Sequence, residues 1–168
     1  PEIIVHGLSV SSTTVNPGDV FLATKGLRVD GFDYIDEAKS RGATAIIADW
    51  DGDLETTQKF YEYQEKLEVP IIGVIGLTQN ISCLASRFYS EPSKKINVMA
   101  VTGTNGKTTC AQLYTQLLNK LFERDNILGK CGYVGTLGAA LSYDEEENDQ
   151  LNNDATLTTP NAVTLQKY

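Results

Sequence analysis

The chain has 168 residues, of which 41% are hydrophobic and 21% charged, the composition of a soluble protein with one ordinary domain or two small ones. Its formal net charge of −8 argues against general nucleic-acid binding, which needs basic surface to neutralise phosphates. Neither a secretory signal nor an apolar stretch near the roughly 20 residues that span a bilayer is expected. The three cysteines lack metal-ligand spacing. We expect a cytoplasmic protein without nucleic-acid or membrane partners, and no protein partner is inferred.

Strand-like and helix-like segments alternate along the first 90 residues. Short apolar runs next to turn signals predict strands, and apolar residues at helical spacing predict helices. The predicted strands are Val20–Thr24, Thr44–Ala48 and Val69–Val74. The predicted helices are one through Ile35 that ends near Gly42, one over Leu54–Leu67, and one that begins at Thr78 as its N-cap. This alternation predicts an α/β fold.

The pattern breaks at Glu91–Lys95, where proline and charge predict a boundary between domains at residues 1–94 and 95–168. Beyond it, a strand, a glycine-punctuated loop and a helix are predicted in that order, which is the beginning of an α/β sheet. These segments are Ile96–Thr102, Gly103–Thr108 and Thr109–Phe122. Tyr133–Leu141 is predicted to be extended, and Ala162–Tyr168 to begin a helix.

The segment Gly103–Thr109, GTNGKTT, carries the strongest chemical signal. Glycines let backbone N–H groups approach phosphate oxygens, and the N-terminus of the following helix attracts anions. Lys107 is expected on the β- and γ-phosphates of a nucleotide, and the Thr108 hydroxyl on Mg²⁺. The residues expected to hold the nucleotide are Gly103, Thr104, Asn105, Gly106, Lys107, Thr108 and Thr109.

This loop matches the general G-x-x-x-x-G-K-[ST] pattern only at its G-K-T end, because Val101 stands where the first glycine belongs. The alternative is a tight turn between strand and helix with an exposed lysine. It does not explain why glycines, a lysine and two threonines gather where a helix starts. Kinase, GTPase, ATPase and ligase reactions all stay open on this motif alone.

Three strings resemble the Mur ligase family. VTGTNGKTT at Val101–Thr109 resembles the ATP-binding loop of Mur ligases and folylpolyglutamate synthetases. Val15–Ile35 resembles the N-terminal domain of MurE and MurF, with the pattern V-x-P-G-D-x-F-x-A-x-x-G-x-x-x-D-G-x-x-[FY]-I. Thr158-Thr159-Pro160, followed by Leu165-Gln166, resembles the T-T-P-x-x-x-x-L-Q segment typical of MurE. Three motifs in this order make a chance similarity unlikely, and the third motif favours MurE over MurF.

The resemblance implies a small N-terminal α/β UDP-binding domain, followed by the start of a P-loop, Rossmann-like central ATPase domain. It also implies an ATP- and Mg²⁺-dependent ligase of peptidoglycan synthesis. Such enzymes join an amino acid to the D-glutamate of UDP-N-acetylmuramoyl-L-alanyl-D-glutamate through an acyl phosphate. Whether the amino acid is meso-diaminopimelate or L-lysine is not determined by this sequence.

The resemblance also implies substrate-binding residues. Ser12, and Val10 through its backbone, fall at the uridine; Leu27, Arg28 and Val29 fall in a loop at the UDP end; Thr158 and Thr159 fall at the muramoyl portion. The family usually has Asp-Ser-Arg where this chain has Ser11-Ser12-Thr13. An ordinary loop hydroxyl for Ser12, a solvated Arg28 and turn-stabilising threonines are the alternatives.

The chain is expected to stop within the central domain. The resemblance places further Mg²⁺ ligands, a carbamylated lysine and an amino-acid-binding domain downstream, so this piece is expected not to catalyse ligation alone. A MurF-like ligase is one rival; the N-terminal pattern disfavours a folylpolyglutamate synthetase. A P-loop kinase or GTPase predicts nucleotide turnover without UDP-sugar affinity. A nucleotide-sensing module predicts ATP binding without turnover.

Overall fold

The computed structural model describes residues 3–26, 29–136, 138–140 and 160–167. The chain divides into two compact units, one of Pro1–Lys95 with Asn161–Tyr168 and one of Ile96–Pro160. The assignment of two domains at 1–94 and 95–168 stays a prediction. In the structure the last helix belongs to the first unit.

The first unit is built on a four-stranded parallel sheet in the order β1-β2-β3-β4. The strands are β1 (Gly7–Ser9), β2 (Asp19–Ala23), β3 (Ala45–Asp49) and β4 (Ile71–Val74). Parallel neighbours need crossover connections, and helices or 3-10 turns supply them here. The predicted strands within residues 20–74 are confirmed, and so is the α/β fold class.

Helices connect or follow these strands. They are α1 (Ile35–Ser40), which a 3-10 turn (Gly31–Tyr34) precedes, α2 (Leu54–Lys66), α3 (Leu77–Phe88) and α5 (Ala162–Lys167), with α4 in the second unit. Two further 3-10 turns lie at Ser12–Thr14 and Pro92–Lys94. Gly42 follows α1 with φ of +100°, the left-handed conformation that ends helices at glycine. The helix predicted from Ala162 is confirmed.

The sheet is buried on both faces because its strands alternate side chains between two hydrophobic clusters. Phe21 and Ala23 point to the cluster that includes Phe32, Ile35 and residues of α2. Val20 and Leu22 point to the other cluster, which Leu77 and Ala85 of α3 and Val163 of α5 complete. The continuous apolar character of β2 and β3 follows from this three-layer arrangement.

The N-terminus of α3 differs from the prediction that Thr78 caps it. The N-cap residue is Gly76, at φ of +71°, and its lack of a side chain leaves the cap to another residue. Asp49, at the end of β3, accepts hydrogen bonds from the backbone N–H groups of Leu77 at 3.1 Å and Thr78 at 3.0 Å. The prediction was wrong because the capping carboxylate belongs to Asp49, 28 positions before Leu77. The pairing of β3 with β4 brings Asp49 to the start of α3.

The second unit contains α4 (Lys107–Arg124) and an antiparallel hairpin of β5 (Tyr133–Gly135) and β6 (Gly138–Ala140). The helix predicted there is confirmed, and it begins at Lys107. The described parts of Tyr133–Leu141, predicted to be extended, are the two strands of this hairpin, which the prediction did not indicate, and Leu137 and Leu141 lie outside the described residues. The side-chain amide of Asn119 joins α4 to the approach to β5, donating to the Cys131 carbonyl at 3.0 Å and accepting from its N–H at 2.7 Å.

The strand predicted at Ile96–Thr102 is not formed. Its side chains are exposed, Val98 at 68% and Met99 at 54%. A buried parallel strand needs hydrogen-bonding neighbours, and no strand in the described ranges pairs with this segment. The apolar pattern alone was therefore insufficient.

No helix in the described part of the chain is both long enough and apolar enough to cross a membrane.

Candidate functional site: a glycine loop and the carboxyl edge of a parallel sheet

The glycine loop before α4 has the backbone geometry that brings N–H groups to an anion. Gly103 has φ of +147° and Gly106 φ of +76°, a region that side-chain-bearing residues rarely adopt. A Cβ added to Gly106 would meet no atom within 4 Å, so this glycine is required for its conformation and not for space. Gly106 is the N-cap of α4, and it turns the chain directly into the helix.

The N-terminus of α4 is open to an anionic ligand. The first helical hydrogen bond runs from the Cys110 N–H to the Gly106 carbonyl at 2.9 Å, so the three preceding N–H groups have no partner within the helix. The first turn of α4 carries no acidic residue. In α3, by contrast, the Asp49 carboxylate already occupies the corresponding position. Of these two helix ends, only that of α4 can therefore receive a phosphate.

Lys107 lies over the same loop. Its ammonium donates to the Gly103 carbonyl at 2.6 Å and lies 3.4 Å from the Thr104 carbonyl. The cation is thus held on the loop by two carbonyl acceptors that a phosphate oxygen, with full negative charge, would outcompete. Lys107 and Thr108 are half-buried, whereas Gly103–Gly106 are exposed. The predicted nucleotide-binding residues are contiguous on one exposed loop and helix end.

In the first unit, the carboxyl ends of the parallel strands collect the residues assigned to the UDP end. Open parallel sheets bind ligands at this edge. Val10 follows β1 and packs partly against the second hydrophobic cluster. Val29 lies after β2, half-exposed, with its carbonyl accepting from the Gly26 N–H at 2.9 Å. Four predicted residues, Leu27, Arg28, Thr158 and Thr159, lie outside the described residues.

Ser12 has a partner that the sequence did not reveal. Its side chain is buried, with 5% exposed, and its hydroxyl donates to Glu37 Oε2 at 2.7 Å. The other oxygen of Glu37 pairs with Arg41 at 3.3 Å. The hydrogen bond between Ser12 and Glu37 ties the turn after β1 to α1. A role of the Ser12 hydroxyl in ligand contact stays a prediction.

Sequence reasoning missed four charged residues at this edge. Lys25 pairs with Asp51 at 2.9 Å, and Asp30 pairs with Lys59 at 2.9 Å. The hydrogen bond from Lys25 holds the pKa of the Asp51 carboxyl well below its usual range, with a smaller contribution from the Thr56 hydroxyl. The hydrogen bond to Asp30 raises the pKa of Lys59, and Glu55 adds to it. Partners 26 and 29 positions apart leave no signal in local spacing.

Within the described residues, no group of three or more His, Cys, Asp or Glu side chains could hold a metal ion. Mg²⁺ commonly takes its oxygens from nucleotide phosphates, waters and one or two protein groups. The Thr108 hydroxyl, in the first turn of α4, is the kind of protein group that fits this pattern.

Comparison with known proteins gives consistent matches along the chain. Residues 4–89 match the model of the Mur ligase family, catalytic domain, and residues 101–168 that of the Mur ligase middle domain. The UDP-N-acetylmuramoyl-L-alanyl-D-glutamate–2,6-diaminopimelate ligase of Pseudomonas putida is 38% identical over 163 residues, covering 97% of this chain and 29% of the relative. The enzyme of the same name from Pseudomonas aeruginosa is 39% identical over 158 residues, covering 94% of this chain and 31% of the relative.

Among solved structures, one of a UDP-N-acetylmuramoyl-L-alanyl-D-glutamate–2,6-diaminopimelate ligase superposes with a TM-score of 0.52 and 21% identity. It covers 96% of this chain and 28% of that one, and this likeness shows the fold. The chain thus spans less than a third of the length of the relatives it matches.

Proposed function

Because this chain belongs to the Mur ligase family, we propose that it takes part in ATP-dependent amide-bond formation in cytoplasmic peptidoglycan synthesis. The substrate is UDP-N-acetylmuramoyl-L-alanyl-D-glutamate, whose D-glutamate carboxyl is activated as an acyl phosphate and joined to an amino acid. In the two named Pseudomonas relatives, that amino acid is 2,6-diaminopimelate. Residues 1–94 are assigned to the UDP end of the substrate, and the loop and helix start at Gly103–Thr109, within residues 95–168, are assigned to ATP.

The observation that carries the proposal is the open N-terminus of α4 behind the loop Gly103–Gly106. Unpaired N–H groups, the positive end of an 18-residue helix and the Lys107 ammonium converge on one exposed surface. Each favours a polyphosphate over a neutral ligand. This local positive site explains how a chain of net charge −8 binds a nucleotide.

The chemistry assigned to the loop is electrostatic. With a nucleotide bound, the Lys107 ammonium would contact the β- and γ-phosphate oxygens and would offset charge on the transferred phosphoryl group. Thr108 would hold a nucleotide-bound Mg²⁺, which supplies further charge neutralisation. The backbone around the phosphates is assigned to the remaining residues of the segment, Gly103, Thr104, Asn105, Gly106 and Thr109.

The UDP-muramoyl end is assigned to the carboxyl edge of the parallel sheet. Val10, Ser12 and Val29 lie after β1 and β2 at that edge, where open α/β sheets bind ligands. Leu27 and Arg28 follow β2 in sequence, whereas Thr158 and Thr159 are assigned to the muramoyl portion by the resemblance of their T-T-P segment alone. The match to MurE-type relatives over more than nine-tenths of the chain supports this assignment.

Nucleotide binding is tested by titrating the 168-residue chain with ATP and Mg²⁺ in a calorimeter. Lys107→Met removes a charge-assisted contact and is expected to weaken binding by about 10- to 100-fold. Lys120→Met is the matched control, because Lys120 lies exposed on the same helix and the substitution changes the charge equally. Equal affinities of the two variants would refute the assigned site.

The substrate is tested by titration with UDP-N-acetylmuramoyl-L-alanyl-D-glutamate, with UDP-glucose as the control ligand. We expect binding of the muramoyl ligand and little of UDP-glucose. Ser12→Ala removes the proposed hydroxyl contact and also the hydrogen bond to Glu37 that ties the turn after β1 to α1, so it is expected to weaken binding of the muramoyl ligand. Equal binding of both ligands would refute specificity for the muramoyl peptide, and no binding of either would refute the UDP-muramoyl assignment for this chain.

A further inference from the structure

A short segment after β2 is closed on itself at the carboxyl edge of the sheet. Its described residues Lys25, Gly26, Val29 and Asp30 are here called the β2 stem. Lys25 and Asp30 form an isolated antiparallel bridge, and the Gly26 N–H donates to the Val29 carbonyl at 2.9 Å. The stem therefore holds Val29 beyond the carboxyl end of β2, where the proposed function places the uridine diphosphate end of the substrate.

One side of the β2 stem is tied to the start of α2. The Lys25 ammonium lies 2.9 Å from Asp51 Oδ2. The other oxygen of Asp51 accepts from the Thr56 hydroxyl at 2.7 Å and from the Asp53 N–H at 3.2 Å. Thr56 is buried in the first turn of α2, so its hydroxyl is fixed in position. This hydroxyl orients the Asp51 carboxylate independently of Lys25.

The other side of the β2 stem is tied to the second turn of α2. Asp30 Oδ2 lies 2.9 Å from the Lys59 ammonium, and Asp30 Oδ1 accepts from the Phe32 N–H at 3.0 Å. The two sides of the stem carry opposite charges. The cation Lys25 pairs with Asp51 just before α2, and the anion Asp30 pairs with Lys59 within α2. A reversed placement would bring Lys25 against Lys59 and two carboxylates together, so the pairing specifies one orientation.

We propose that these two ion pairs, the α2 clamp, position the β2 stem for the uridine diphosphate end of the substrate. Lys25, Asp51, Asp30 and Lys59 are then positioning residues that act through the backbone around Val29. This inference rests on the proposed function. Exposed ion pairs stabilise a fold little by themselves, but a stem that is ordered before binding spares the ligand the entropic cost of ordering it.

The clamp is tested first without ligand, by hydrogen exchange of the Gly26 and Gly31 amides. These donate to the Val29 and Thr24 carbonyls, both at 2.9 Å, and so report opening of the stem. Lys59→Met is expected to speed their exchange about five-fold. Lys66→Met is the matched control, because Lys66 lies on the same helix but pairs with Asp36 at 2.6 Å. Unchanged exchange in Lys59→Met would overturn the clamp.

The positioning role is tested by the affinity of the full 168-residue chain for UDP-N-acetylmuramoyl-L-alanyl-D-glutamate. Lys59→Met is expected to weaken binding about five-fold, and Lys59→Arg to restore it. Lys66→Met and Glu55→Gln should bind as the wild type does, since the latter removes only the second partner of Lys59, at 3.2 Å.

The outcomes separate the inference from the proposed function. Equal weakening by Lys59→Met and Lys66→Met would indicate a general charge effect and overturn the positioning role. Faster exchange without loss of affinity would overturn it as well. A wild type that does not bind the ligand would refute the proposed UDP-muramoyl function and the positioning role with it, whereas the exchange measurement would still decide whether the clamp exists.

Discussion

The carboxylate of Asp49 is expected to stabilise the first unit by capping α3 from the neighbouring strand. It accepts hydrogen bonds from the backbone N–H groups of Leu77 and Thr78, and also from the Thr78 hydroxyl. Gly76, the N-cap residue, has no side chain to take its place. Asp49→Ala therefore leaves these N–H groups and the positive helix end without their partner.

The magnitude follows from two contributions. Loss of a capping side chain costs about 1 kcal/mol, and loss of a negative charge at a helix N-terminus a further ~0.3–1 kcal/mol. The Thr78 hydroxyl also loses its bond to Asp49 and keeps only the Lys25 carbonyl, at 3.4 Å, as an acceptor. We therefore expect Asp49→Ala to lower the free energy of unfolding by about 2 kcal/mol. Asp49→Asn keeps an acceptor oxygen but loses the charge, and it is expected to cost roughly half as much.

Urea unfolding followed by tryptophan fluorescence measures this effect in the first unit. Trp50 is the single tryptophan of the chain, and its indole N–H donates to the Thr57 hydroxyl at 2.9 Å beside the Phe60 ring. A loss of 2 kcal/mol should lower the urea midpoint by about 1 M. Glu65→Ala, on the exposed face of α2, is the control for loss of a carboxylate. An Asp49→Ala midpoint equal to that of Glu65→Ala would refute the capping argument.

Three further outcomes are expected in the same unit. Leu22→Ala, in the middle of a fully buried strand, should lower the free energy of unfolding by about 3 kcal/mol, and a urea midpoint near the wild-type value would contradict its place in the core. Ser90→Gly should raise it by about 0.5–1 kcal/mol, because Ser90 is exposed at φ of +62°, and a lowered midpoint would contradict this. The pKa of Asp51 is lowered by Lys25, so their pair stabilises the fold above the unfolded pKa of about 4 and loses this effect as pH falls through the folded pKa. The stability gap between wild type and Lys25→Met should therefore narrow from pH 7 to pH 3, and an unchanged gap would contradict the pairing.

Three of the four strands in the first unit, β2, β3 and β4, could be predicted because their segments are largely apolar, whereas the short β1 (Gly7–Ser9) carries no such run. β2 and β3 deviate by at most one residue from the segments predicted for them. Both faces of the sheet are covered by helices, so a continuous apolar run is the expected pattern of such strands. Gly42 was identified as a helix end by residue type, and its positive φ explains why glycine stands there.

Elements whose formation depends on a distant neighbour were predicted less well. Thr78 has the residue type of a cap, yet Asp49 supplies the capping carboxylate. Ile96–Thr102 has the composition of a strand, but no neighbouring strand pairs with it in the described structure. Tyr133–Leu141 reverses direction at a hairpin that its extended pattern did not indicate.

The amino-acid sequence by itself determined the glycine loop, the helix after it and the alternation of strands and helices. These depend on backbone freedom at glycine, on N–H groups left free at a helix start and on local periodicity. Only the tertiary structure decided that Ser12 bonds to Glu37 and that Asp49 caps α3. It also decided that Lys25 pairs with Asp51, just before α2, and Asp30 with Lys59 of α2. These partners lie some 25 to 30 positions apart in sequence. They come together because parallel strands bring their carboxyl ends to one edge of the sheet, and the local spacing of residues does not indicate which strands are neighbours.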